Sequence, residues 1–273
     1  MKIHLDEHLS RQVHNHLKVV GLLFLTTLAL GLFSDRSIGQ RLNTPELLKR
    51  IREAYYNPRK HGLKEMHATV HPQWISMPAG TSAGKLDSAN AVFRHVHFVM
   101  SIDSNDAITV THDGDVPTRS YDIVYNAEKG LAGLLQSWEG FVLTIPFDGP
   151  DSMYTFTKSG TEYQLIEQER RDTTTIILSS DFAIRKLTME GEPMQSMELL
   201  PHFMKTLEGL LYTGCDATFV ASGDMPSIPS TTVTFEYQQF QTFYLPKTIR
   251  LTSTINSMQG VMMWSLDEYS VKS

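Results

Sequence analysis

The sequence predicts an α+β protein, a long antiparallel sheet packed with one or two helices. Three observations predict it. From Asp151 onward, short runs of alternating apolar and polar residues follow one another with turn residues between them, the pattern of an antiparallel meander. Apolar residues at helical spacing occur in two stretches, both before Pro150. Strands and helices do not alternate along the chain as a parallel sheet requires. No repeat, low-complexity tract or linker divides the chain, so the sheet and helices are read as one domain.

The N-terminus reads as a targeting signal. Val19 to Phe33 is almost entirely apolar and is flanked by Lys18. That length suits a signal-peptide core and falls short of the ~20 residues of a membrane span. Ser37 and Gly39 supply the small residues wanted just before a cleavage at Gln40. Residues 1–39 are therefore expected to be a signal peptide, with an uncleaved N-terminal anchor as the alternative. Residues 40–273 are the exported domain, periplasmic or secreted.

The first helix follows. Asn43 or Thr44 can cap it, Pro45 suits its first turn, and Leu47, Leu48, Ile51, Ala54 and Tyr55 share a face. Asn57-Pro58 ends it, and a short strand is expected near Met66 to Val70. Pro72, Pro78, Gly80 and Gly84 then predict a loop. The second helix spans Tyr121 to Glu139, with Val124, Leu131, Leu134, Leu135 and Trp138 as its stripe. Gly140 is expected to end it, leaving Phe141 to Pro146 extended.

Beyond Asp151, strands are expected at Met153–Lys158, Tyr163–Gln168, Thr173–Leu178 and Phe182–Met189. Breaks are expected at Arg171-Asp172 and at Gly191-Glu192-Pro193. Leu199 to Leu211 carries Pro201 and Glu208-Gly209, so it is read as irregular. Tyr212–Ala221 is the next strand, followed by a loop over Gly223–Pro229. The clearest signal comes last, in three strands between Thr231 and Tyr269. Val233, Phe235 and Tyr237 alternate with polar residues, then Ile249, Leu251 and Ile255, then Met262, Trp264 and Leu266. A period of two gives one apolar face and one polar face. Pro246 lacks an amide hydrogen, so it belongs at a strand start or an edge.

Chemistry-bearing motifs are few. A net charge of −6 offers no basic stripe for nucleic acid. The single cysteine, Cys215, cannot form an intramolecular disulfide and reads as a small apolar residue. Gly80-Thr81-Ser82-Ala83-Gly84 matches the nucleophile-elbow pattern, but it follows Pro78 rather than a strand of a parallel sheet. His61, His67, His71, His95, His97 and His112 gather in one stretch. His95 with His97, and His67 with His71, would share a face within a strand. Their irregular spacing, with Pro72 beside His71, does not form a metal motif. No paired carboxylates or triad appear, so neither enzyme activity nor a cofactor is expected.

The apolar face of an antiparallel sheet must meet helices, ligand or both. By strand parity, Val233, Phe235, Tyr237, Ile249 and Leu251 form that face. Leu134, Leu135 and Trp138 of the second helix are its expected cover.

One or two helices followed by a long meander resembles the lipoprotein-carrier fold of the LolA and LolB type. Phe243-Tyr244-Leu245-Pro246-Lys247-Thr248-Ile249 is similar to that superfamily's late Gly-x-x-Leu-Pro-x-x-Ile strand, with Gln241 standing where glycine is common. Ala54-Tyr55-Tyr56-Asn57 and Gly62-Leu63-Lys64 also resemble a group of secreted bacterial proteins. The resemblance implies a curved half-barrel with helices on its concave face, holding acyl chains there. It implies a monomeric, non-catalytic binding protein whose partner is a lipid or a lipoprotein acyl chain. The alternative is a cell-envelope structural or interaction protein with a fully packed sheet and no ligand.

Overall fold

The computed structural model describes residues 44–77, 83–144, 147, 150–169, 172–190, 196–220, 230–255 and 258–273. The expected signal peptide, the Gly80–Ser82 part of the serine motif, the breaks around 171 and 191–193, and the 223–229 loop lie outside the described residues.

The chain opens with α1 (Thr44–Ala54), which buries Leu47, Leu48 and Ile51. Asn57 stops it and caps the following 3-10 turn, its side chain accepting from the amides of Arg59 and Lys60. Then come β1 (Glu65–Ser76), α2 (Ala83–Phe93), β2 (His97–Ile102), β3 (Ile108–Asp113) and α3 (Tyr121–Val142). The meander supplies β4 (Tyr154–Ser159), β5 (Glu162–Glu169), β6 (Asp172–Leu178) and β7 (Ile184–Glu190). It continues through β8 (Ser196–Thr206), β9 (Gly209–Val220), β10 (Ser230–Phe240), β11 (Phe243–Ile255) and β12 (Met258–Lys272).

All twelve strands join in one open antiparallel sheet, ordered β3-β2-β1-β12-β11-β10-β9-β8-β7-β6-β5-β4. The last strand therefore lies against the first, with Met66 opposite Val271. Apolar residues stay in register across the strands. Phe156, Leu165, Ile176, Leu187, Leu199 and Ala217 form one such row from β4 to β9. The sheet curls. An eleven-residue helix is ~16 Å long, yet α1 touches both β4 and β9, five strand spacings or ~24 Å apart along the sheet. Helix α3 lies across the other half, against β3 and β9. A single hydrophobic core fills the space between helices and concave face.

Four expectations are corrected. First, β1 runs on through Pro72 to Ser76. Trp74, two residues later, turns its N–H and C=O to the side chain of Asn90 on α2, at 2.8 and 2.9 Å. Pro72 shares that parity, and the β2 ladder has already ended at Val70. Its missing amide hydrogen therefore leaves no strand partner unserved. Second, the expected loop is α2 from Ala83 onward. Its small residues give a weak apolar stripe, and it is held by Asn90 and by burial of Ala89 and Phe93. Third, α3 passes Gly140 and ends at Val142. A glycine costs a helix about 1 kcal/mol, and the burial of Phe141, stacked on Tyr212 at 4.5 Å, offsets it. Fourth, Leu199 to Leu211 is not irregular but forms most of the β8–β9 hairpin. The β7 ladder ends at Leu199, so Pro201 lies beyond it.

Pro246 lies inside β11 rather than at its start. There it meets a register shift opposite Tyr237, short of where the β12 ladder begins at Thr248. Bulges and unpaired flanks are where a sheet tolerates proline.

Candidate functional site

Parity and hairpin register build the concave face from β9 to β12. Val233 pairs with Leu251 and Phe235 with Ile249 across β10–β11. Leu251 then pairs with Met262 and Ile249 with Trp264 across β11–β12. Leu134, Leu135 and Trp138 of α3 are buried in the same core as Val233, Phe235 and Ile249, and Tyr237 and Leu251 pack against it half-buried. Ile249, Leu135 and Trp138 are each 0 % exposed. The chain's own atoms cover this face, and Trp138 of α3 reaches it at Tyr237.

One polar thread crosses the apolar contact. Trp138 Nε1 donates to Tyr237 Oη at 2.9 Å, and Tyr237 Oη donates to the Tyr212 carbonyl. Burial pushes the Tyr237 phenol well above its ordinary range, with Trp138 opposing. A second polar contact fastens the front of α3, where His112 Nδ1 of β3 lies 2.6 Å from Glu128 Oε1.

Three residues of this region were not singled out from the sequence. Tyr212 is fully buried between Phe141 and Phe235. It opens the expected strand Tyr212–Ala221, but the register shift opposite His202 and Phe203 skips Thr213, so Tyr212 falls out of step with Cys215 and Ala217. Ser137 donates to Leu134 O beside it. Trp264 was placed in a strand but not on the face. Counting pairs back from the β11–β12 turn would have set it opposite Ile249.

The other candidates resolve differently. Burial pushes the Cys215 thiol up, which disfavours the reactive thiolate. His67 and His71 do share β1, but His95 lies in the turn before β2, so it shares no strand with His97. Several histidines sit beside a carboxylate instead, as His71 does with Asp267 at 3.0 Å and His202 with Asp216 at 3.1 Å. Among the described residues no three His, Cys, Asp or Glu side chains are grouped to hold a metal ion. No described helix is long and apolar enough to cross a membrane. Gln241, in the turn before β11, has φ 55°, a left-handed conformation that favours glycine.

Compared with family models, curated proteins and solved structures, the chain matches none.

Proposed function

We propose that the protein is an exported, non-catalytic carrier that holds a lipid, or a lipid-anchored protein by its acyl chains, between α3 and the concave face of the sheet. The observation that carries this reading is the arrangement of α3. A separate helix lies across a continuous apolar sheet face, joined to it by burial and a few side-chain hydrogen bonds. An apolar chain can take the helix's place on such a face. Each methylene it buries contributes ~0.8 kcal/mol before ordering costs. The resemblance of Phe243–Ile249 to the late strand of carriers of the LolA and LolB type supports the same reading. A leader over residues 1–39, cleaved before Gln40, belongs to this proposal. N-terminal sequencing of the exported protein tests it, and retention of Met1 would count against it.

The full burial of Ile249, Leu135 and Trp138 favours a second reading, an envelope scaffold whose sheet is permanently filled. Native mass spectrometry with lipid extraction separates the two. A stoichiometric lipid on protein purified from its envelope is the expected result. Leu251→Trp is the companion experiment. On a face that opens, it blocks uptake of a fluorescent fatty acid with little change in Tm. In a permanently packed core it costs about 1–3 kcal/mol. That loss, with no uptake by the unaltered protein, would leave the scaffold.

A further inference from the structure

Two buried polar atoms in this region have no hydrogen-bond partner, Tyr212 Oη and Trp264 Nε1. Their residues are 0 % and 1 % exposed. Other tyrosines of the interior are satisfied. Tyr55 Oη donates to Phe182 O, Tyr56 Oη accepts from the Tyr244 amide, Tyr237 donates to Tyr212 O, and Tyr269 donates to Pro246 O. Buried polar groups are rarely left unpaired, so two on one apolar face need an explanation. Tyr212 Oη sits near Cys215 Sγ and Ser137 Oγ without an aligned hydrogen bond to either. The Ser137 hydroxyl donates to Leu134 O instead.

Both atoms flank the proposed ligand face. The Tyr212 ring lies 5.6 Å from that of Phe235, Phe235 pairs with Ile249, and Ile249 pairs with Trp264. An indole N–H can only donate, and a phenol can donate. The face thus offers two donors along an apolar path. The polar neighbours of Tyr212 are Ser137, Cys215 and Tyr237, none of them a cation. An anionic phosphate or carboxylate brought there would be buried without a counter-charge, which is costly. A neutral carbonyl oxygen meets the donors without that cost.

Resting on the carrier reading, we propose that the ligand's chains are linked through neutral carbonyl groups, as in an acyl ester, and that Trp264 Nε1 and Tyr212 Oη donate to those oxygens. The two residues then select acyl-linked chains over chains of equal length without carbonyls.

The test is a matched pair of lipids with one headgroup and one chain length, a diacyl ester phosphatidylcholine and its dialkyl ether analogue. Affinity for each is measured by titration calorimetry on the full mature protein. The unaltered protein should prefer the ester by about tenfold, the effect of one hydrogen bond worth ~1.4 kcal/mol. Trp264→Phe and Tyr212→Phe keep an aromatic ring and remove the donor. Each should shrink the ratio of ester to ether affinity, whatever it does to lipid affinity as a whole. Equal affinity of the unaltered protein for both lipids would overturn the inference and leave the carrier reading standing. Full preference retained in both variants would also overturn it. Failure to bind either lipid would remove the carrier reading, and this inference with it.

Discussion

Helices α1 and α3 both cover the concave face, but they are held in different ways. Helix α1 and the turn after it are bolted to main chain. Tyr55 Oη donates to Phe182 O at 2.7 Å and accepts from the Ile184 amide at 3.1 Å. The Tyr56 amide donates to Leu210 O, and Arg52 Nε donates to Phe147 O. Arg59 reaches the carbonyls of Leu63 and Asp103 and the carboxylate of Asp106. Helix α3 rests mainly on side chains. Its one end meets backbone partners, where Asn57 Nδ2 donates to Leu143 O at 2.7 Å. Its sequence includes Gly130, Gly133 and Gly140, each about 1 kcal/mol less favourable in a helix than alanine, whereas α1 contains none. A helix held by backbone hydrogen bonds belongs to the frame. A helix held by burial can exchange one apolar partner for another.

The largest expected effect falls where α1 meets the sheet. Gly209 has φ +127°, and a Cβ there would lie 2.8 Å from Ala54 O and from the Tyr56 amide nitrogen. Both obstacles are backbone. Gly209→Ala is expected to destabilise by roughly 3 kcal/mol through strain and loss of the seam. Urea unfolding measures it. A loss below about 1 kcal/mol would show that α1 is not part of the frame.

A matched pair of substitutions sharpens the contrast between the helices. Tyr55→Phe leaves the Phe182 carbonyl and the Ile184 amide unpaired, at an expected cost of about 2 kcal/mol. Tyr237→Phe likewise strips partners from Trp138 Nε1 and the Tyr212 carbonyl. Its cost is expected to be smaller, about 1 kcal/mol, because it is capped by the free energy of detaching α3. Hydrogen exchange is the second readout. Amides of α3 should exchange through a cheaper local opening than those of α1, and Tyr237→Phe should make it cheaper still. Equal protection of the two helices would remove the distinction.

Legibility in the sequence follows the same division. The strands β10–β12 alternate cleanly because one of their faces is buried and the other is polar. Their parity alone put Val233, Phe235 and Ile249 on one face, and all three are buried in the core. What escaped was local chemistry overridden by distant partners. Pro72 and Pro201 look like breaks, but each lies where a neighbouring ladder has already ended. Gly140 looks like a stop, but Phe141 beyond it stacks on Tyr212, 71 residues later in the chain. The β9 part of the site was hidden for the same reason. Tyr212 was expected in a strand, but a bulge at Thr213, set by pairing with β8, puts it out of step with Cys215 and Ala217.

The smallest expected effect appears only in alkali, at Tyr56. Tyr56, just beyond α1, accepts a hydrogen bond from the Tyr244 amide at 3.0 Å and stacks on His61. Burial, opposed by that amide and reinforced by Glu208, pushes its phenol up to about 12. An unfolded tyrosine ionises near pH 10. Below pH 10 both states keep the proton, and the contribution of Tyr56 to stability is complete. Between pH 10 and about 12 the unfolded chain loses its proton first, so stability falls as pH rises through that window. Burial raises Tyr55 and Tyr269 further than Tyr56, and it raises Tyr212 and Tyr237 well above the ordinary range. Tyr56 is therefore expected to be the first of these five to ionise in the folded state, so its share of the fall ends near pH 12 while theirs continues. Tyr56→Phe should flatten the fall in unfolding free energy across this window while costing about 1 kcal/mol at neutral pH. If the variant falls as steeply as the unaltered protein, alkaline weakening starts elsewhere.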